Sequence, residues 1–179
     1  CACLAGVSDV LAQAIAHADP PASKGAEECA GGVEKIVVRA SDGVGEQDIP
    51  LLTEVTDVID SSLPLIGRVN AAKLVFAPDH QSLVLLRETA TARRVLGAIV
   101  LKPHCPRGFL EVVFCVVRKE EQRRGVGTRL VAMLKHHALS LGCLHLLTYA
   151  DDSATGFFER LGFEIDHDAA MPMNRFHWG

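Results

Sequence analysis

Gln122-Arg123-Arg124-Gly125-Val126-Gly127-Thr128 joins two runs of different period. Before it, Phe109 to Val117 is apolar and rich in β-branched residues, as a strand is. After it, Leu130, Met133, Leu134, His137 and Leu141 recur at helical spacing. A chain that leaves a strand through glycines and enters a helix leaves its first helical N–H groups unpaired and pointing one way. With the positive end of the helix dipole they attract phosphate oxygens. Arg123 and Arg124 add positive charge. The stretch predicts a strand-to-helix junction that holds a phosphate or pyrophosphate, within a mixed α/β fold. A plain glycine turn into a surface helix is the alternative reading of the same residues.

Two familiar phosphate loops are excluded. A Walker loop ends Gly-Lys-Ser/Thr, and Gly127-Thr128 lacks the lysine. A dinucleotide fingerprint needs a third glycine where this chain has Leu130. What remains, Gln-x-x-Gly-x-Gly after a long apolar strand, reads as acetyl-CoA-binding loops do.

The 179 residues suffice for one domain with a full core and some tail. Apolar residues make up 49% and charged ones 22%, the composition of a globular protein. No uninterrupted apolar run approaches the ~20 residues of a membrane span, so no membrane partner is expected. A net charge of −4 argues against direct nucleic-acid binding and is compatible with a basic substrate. The six cysteines show no Cys-x-x-Cys pairing and no matching His spacing, so no metal is expected, and a reducing compartment is. Cys115 and Cys143 sit in apolar runs, where a thiol acts as a small hydrophobe. The start at Cys1 without Met suggests a fragment or a processed chain.

Outward from the loop, the chain divides into an N-terminal extension or linker, 1–32, and a domain, 33–179. Leu4, Val7, Leu11 and Ile15 fall near helical spacing, and Asp19 to Gly32 contains Pro-Pro and Gly-Gly as a linker does. Ile36-Val37-Val38 reads as a first strand. Leu51, Leu52, Val55, Val58 and Ile59 share a helical face that Pro64 terminates, and a short helix is expected near 68–74. Leu83 to Leu86, Val95 to Leu101 and Phe109 to Val117 suggest an antiparallel meander. Leu144 to Tyr149 reads as a further strand, Ala154 to Leu161 as a short helix capped by Asp152 or Ser153, and Phe163 to Ile165 as a last strand. The expected order is βααβββαβαβ.

Glu111 is the one ionisable residue in the run 109–117. Strand alternation places it on a face with Phe109, Val113, Cys115 and Val117. Poor solvation disfavours its charged form and raises its pKa, as suits a general base acting on an ammonium. The alternative is an edge position facing water or paired with Arg107. A long cofactor with its pyrophosphate at the loop can lie along the strand and bring its reactive end toward Glu111.

These residues resemble the GNAT superfamily of acetyl-CoA-dependent N-acetyltransferases, and within it the histone lysine acetyltransferases of the general-control-nonderepressible (PCAF-like) type. The segments 108–115, 121–130, 146–151 (Leu-Thr-Tyr-Ala-Asp at its end) and 156–163 carry the match, with weaker similarity back to about Val37. The resemblance implies an α/β (α+β) GNAT acyl-CoA N-acyltransferase fold, a central mixed, mostly antiparallel sheet flanked by helices. It implies Glu111 as the base that takes a proton from the substrate lysine, with direct attack of the amine on the thioester. It assigns cofactor contacts to Cys115, Val116 and Val117, to Gln122, Arg123, Arg124, Gly125, Val126, Gly127 and Thr128, and to Ser153, Ala154, Thr155, Gly156, Phe157 and Phe158. The backbone N–H of Cys115 matches the donor that polarises the carbonyl, so its thiol is not a nucleophile. Phe157 stands where many relatives have tyrosine, and Ser153 replaces an aromatic. The domain is expected to lack its C-terminal end, which helps form the peptide groove.

The implied function is histone lysine acetylation with acetyl-CoA as co-substrate, a histone tail as partner, co-activator complex subunits around it, and a nuclear location. The alternatives are acetylation of small amines, or a low-activity CoA-binding scaffold module of a co-activator. Elsewhere, His136 and His137 read as solvated or core-satisfied side chains and His145 as facing outward from its strand. Tyr149 reads as either a cofactor contact or a core residue. Arg118-Lys119-Glu120-Glu121 reads as a solvated turn, and Asp151-Asp152 as helix capping.

Overall fold

The computed structural model describes residues 2–6, 33–40 and 45–165. Their elements are β1 (Ala2–Gly6), β2 (Val33–Ala40), α1 (Ile49–Ser62), α2 (Arg68–Val75), β3 (Gln81–Glu88), β4 (Arg93–His104), β5 (Phe109–Val117), α3 (Val126–Ser140), β6 (His145–Ala150), α4 (Asp152–Glu159) and β7 (Phe163–Ile165). The described residues form a seven-stranded sheet in the order β2-β3-β4-β5-β6-β1-β7. Neighbours are antiparallel except β5 and β6, which are parallel. This is the mixed, mostly antiparallel sheet expected.

Helices cover both faces. On one, α1 and α2 bury Leu51, Leu52, Val55, Ile59, Ala71 and Val75 against Val84, Val95, Ala98, Val100, Phe114 and Val116. On the other, α3 and α4 bury Leu130, Val131, Leu134 and Phe158 against Leu83, Leu85, Ile99, Leu101 and Leu110. Central strands covered on both sides read as nearly continuous apolar runs, as β3 to β5 do.

Two departures from local pattern matter. Leu4, expected at the start of a helix, lies in β1, paired with Thr148 on one side and Ile165 on the other. The rest of that expected helix, including Val7, Leu11 and Ile15, and the linker 19–32 lie outside the described residues. Strand pairing wins at 2–6 because β6 and β7 each present an edge whose N–H and C=O groups need partners, which a third strand supplies.

The second departure is a bulge in β5. Leu101 pairs with Val112 but Val100 pairs with Phe114, so Val113 is an extra residue. An extra residue shifts the two-residue alternation beyond it. Leu110 and Val112 point into the α3 side, whereas Phe114 and Val116 point into the α1 side. Cys115 and Val117 consequently pack toward α3. Glu111 keeps Phe109 and Val113 as face neighbours but not Cys115 or Val117, which corrects the unbroken alternation expected from sequence.

The sheet is tightly packed against α3 at Gly97. A Cβ there would lie 2.7 Å from the Val116 carbonyl oxygen and 3.1 Å from Leu130 Cδ1. Backbone cannot yield as a flexible side-chain tip can. Gly97→Ala is expected to lower unfolding stability by about 1–3 kcal/mol, read as a lowered denaturant midpoint with an unchanged slope.

Candidate active site

The stretch 122–128 joins a strand to a helix as the sequence predicts, and it is anchored more firmly. After β5 a short 3-10 turn over Lys119–Glu121 leads through Gln122 into α3. Gln122 Nε2 donates to the Val117 carbonyl at 3.2 Å, folding the loop back onto the strand end. Arg123 has φ 62°, and Gly125, the N-cap of α3, has φ 77°. Gly125 offers no side chain to cap the helix, so the first-turn amides of α3 open toward the loop.

Arg118 and Glu121, expected as parts of a solvated turn, act as clamps instead. Arg118 Nη2 donates to Glu54 Oε1 at 2.7 Å and its Nε to the Val95 carbonyl at 2.6 Å. Glu121 is only 3% exposed. It accepts from Arg87 at 2.9 Å and from Arg124 at 3.4 Å. The Arg87 hydrogen bond is the main reason its carboxyl stays below the ordinary glutamate range. The Glu121–Arg87 and Arg118–Glu54 pairs join residues 34 and 64 positions apart, so sequence spacing carries no sign of them.

α4 meets the first turn of α3 through Phe157. Asp151, not Asp152 or Ser153, is its N-cap: Oδ1 accepts from the Ala154 N–H at 2.9 Å and from the Ser153 hydroxyl at 2.6 Å. Thr155 Oγ1 donates to the Asp151 carbonyl. A Cβ on Gly127 would sit 3.0 Å from the Phe157 ring, so the first turn of α3 meets the last turn of α4 there. Phe157 and Phe158 meet edge-on, as do Phe158 and Phe163, which fixes α4 on the core. The structure thus brings Gly127 against Phe157, while the Phe158 side chain turns into the core.

The sheet opens between β5 and β6. β5 and β6 pair from Phe109/His145 to Val112/Thr148 and no further. Thr148 Oγ1 donates to the Val112 carbonyl at the last pair. Beyond it, residues 114–117 remain paired with β4 but have no strand on their β6 side among the described residues. Cys115, Val116 and Val117 thus line an open strand edge leading down from the loop. Burial pushes the Cys115 thiol up to about 12, so it stays protonated and unreactive at neutral pH.

Glu111 lies just before that opening, with its side chain 14% exposed. Burial raises its pKa, Lys102 opposes the rise and Asp79 adds to it. Its polar neighbour is His104, Nε2 to Oε2 at 3.5 Å, rather than Arg107. Sequence reading missed His104, since only the β4–β5 register brings residues 104 and 111 together. Of the other residues weighed, His137 is core-satisfied, with its Nε2 2.7 Å from Gln81 Oε1. Tyr149 is 49% exposed on β6 and is not a core residue. Among the described residues no cluster of three His, Cys, Asp or Glu side chains is placed to hold a metal ion, and no helix is long and apolar enough to cross a membrane.

Residues 58–163 match the profile of the Acetyltransferase (GNAT) family. Histone acetyltransferase GCN5 of Oryza sativa subsp. japonica is 36% identical over 130 residues, which cover 72% of this chain and 24% of that protein. The chain spans about a quarter to a third of the length of the curated relatives it matches. The crystal structure of Tetrahymena GCN5 superposes with a TM-score of 0.70 at 32% identity, covering 79% of this chain and 85% of that one. The catalytic domain of Tetrahymena GCN5 histone acetyltransferase in complex with coenzyme A gives 0.61 at 33% identity, covering 80% and 83%. With its fold, its loop and its matched length in agreement, the chain belongs to the GNAT acetyltransferase family.

Proposed function

We propose that this domain transfers an acetyl group from acetyl-CoA to a lysine side-chain amine of a histone tail, with Glu111 as general base. One observation carries the reading: a largely buried carboxylate stands beside the point where β5 and β6 part. The names of the rice and Tetrahymena relatives support the substrate class, and the coenzyme A complex of the latter supports the cofactor.

The chain's own residues fit coenzyme A. Gly127 lacks the Cβ that would crowd Phe157, letting the first turn of α3 lie close to α4. The amides of 126–128, with Arg123 and Arg124, suit a pyrophosphate. Residues 115–117 offer a strand edge to an amide-bearing arm. The arm reaches the sheet from the α3 side, where Cys115 and Val117 pack, and Glu111 stands on the α1 side. The opening between β5 and β6 lets the two reactants meet through the sheet.

Bound acetyl-CoA supplies the acetyl group. Glu111 removes a proton from the lysine ammonium, directly or through water, which frees the amine lone pair for attack. The Cys115 N–H is the proposed donor to the thioester oxygen. We further propose that the domain works in the nucleus within a co-activator complex, and that 33–179, with the strand Ala2–Gly6 completing its sheet, forms the catalytic unit.

Substrate class is tested by kcat/KM for basic histone-tail peptides against a panel of polyamines and aminoglycosides. The expected result is a preference of at least about 100-fold, roughly 3 kcal/mol of transition-state discrimination, for a peptide. A preference for a small amine overturns the histone assignment. Tight coenzyme A binding without transfer to any acceptor favours a scaffold role.

A further inference from the structure

The face that carries Glu111 holds a second ionisable group fixed beside it. His104 ends β4 and pairs in register with Phe109, while Lys102, two residues earlier on the same face, is opposite Glu111. The His104 ring stacks on Phe109, with centroids 4.4 Å apart and planes 13° apart. Stacking sets the ring's orientation, and Nε2 then lies 3.5 Å from Glu111 Oε2. Both side chains are mostly buried, and the 18% of His104 that is exposed gives the ring a path to water.

A base must be emptied after each turnover. Burial raises the Glu111 pKa, and a proton taken from the substrate must leave the carboxyl before the next turnover. Resting on the reading of Glu111 as base, we propose that His104 is a positioning residue that acts through Glu111, accepting its proton at Nε2 and passing it to solvent. The substrate N–H bond breaks as an O–H bond forms on Glu111. That O–H bond breaks as an Nε2–H bond forms on His104. The imidazolium then releases a proton to water or buffer. No electrons are exchanged, and the net change is one proton moved from ammonium to solvent. The 3.5 Å separation is longer than a transfer distance, but such contacts shorten when substrate closes the site.

The surroundings suit a relay rather than a proton store. Burial lowers the His104 pKa most, Lys102, Arg107 and His80 lower it further, and Asp79 opposes them. The imidazolium is thus short-lived near neutral pH, and the neutral ring is ready for the next proton. Asp79 itself is bound by Lys102 Nζ at 2.7 Å and by His80 Nδ1 at 2.8 Å, which holds its carboxyl at about 2. It stays charged and does not compete for the proton.

The test uses H104Q and H104F in the full chain, with a histone-tail peptide and acetyl-CoA. Glutamine keeps an N–H that can bond Glu111 but cannot carry a proton. Both variants are expected to keep wild-type acetyl-CoA affinity and to lose about tenfold or more in kcat. Imidazole added to the assay is expected to restore part of the loss in both and to leave wild type unchanged. A wild-type kcat in H104Q overturns the relay, as does a loss that no added base repairs. If H104F does not fold, H104Q decides. An E111Q control that keeps full turnover sinks the underlying base assignment instead, so the two failures are distinguishable.

Discussion

Glu111→Gln is expected to cost ~10²–10⁴ in kcat near neutral pH, the range for loss of a general base, with coenzyme A affinity unchanged. Glutamine has the same shape and still fits the site, but it cannot take the proton that blocks the amine. Calorimetry with coenzyme A and a thiol-release assay measure the two quantities separately. Wild-type turnover in the variant excludes Glu111 as base. The pH profile supplies a second reading of the same residue. Burial favours the acid form of Glu111, so kcat/KM of the wild type should rise with pH through a limb displaced above the ordinary carboxylate range. The sign for stability follows from the same shift. A carboxyl whose folded pKa is raised contributes stability below its unfolded pKa and loses it as pH rises through the folded value. Glu111 is therefore a net cost to the fold once ionised. E111Q should melt above wild type on the alkaline side of that limb, with the gap closing on acidification. A catalytic group kept at the expense of stability is the expected signature of function.

Gly125→Val is expected to weaken coenzyme A binding by about 10- to 100-fold, the loss of one or two charge-assisted amide contacts at ~1.5–3 kcal/mol each. At φ 77° the backbone is left-handed, a region that a β-branched residue enters only under strain. Valine relieves the strain by turning the peptide, and the amides of 126–128 then no longer point together. The core is expected to survive, because the Gly125 Cβ direction is open and α3 remains seated on Leu130, Val131 and Leu134. Isothermal titration with coenzyme A checks the affinity, and near-wild-type unfolding confirms that the defect is local. Unchanged affinity removes the loop from the binding site.

Much of this was legible in the sequence. The apolar, β-branched-rich runs at 83–86, 95–101 and 109–117 became β3, β4 and β5, and the helical stripes at 51–59 and 130–141 became α1 and α3. Glu111 was conspicuous because a charge in an apolar run needs a reason. The loop was conspicuous because glycine lifts a steric restriction that other residues keep. Local periodicity reports which face of an element is apolar, and that information lies within a few residues.

What the tertiary structure decided lies in pairings between distant positions. The bulge at Val113 is visible only against β4, and it sends Cys115 to the opposite face from Glu111. Ala2–Gly6 form a strand only because β6 and β7 stand ready to bond it. Arg118 with Glu54, and Glu121 with Arg87, hold the loop through contacts that no local pattern announces. His104 meets Glu111 through strand register alone. From β2 onward the sequence by itself determined the kinds of element, the glycine junction between β5 and α3, and the candidate base. The tertiary structure decided which face each group occupies and which partner tunes it, because register is settled by hydrogen bonding and packing across the whole sheet.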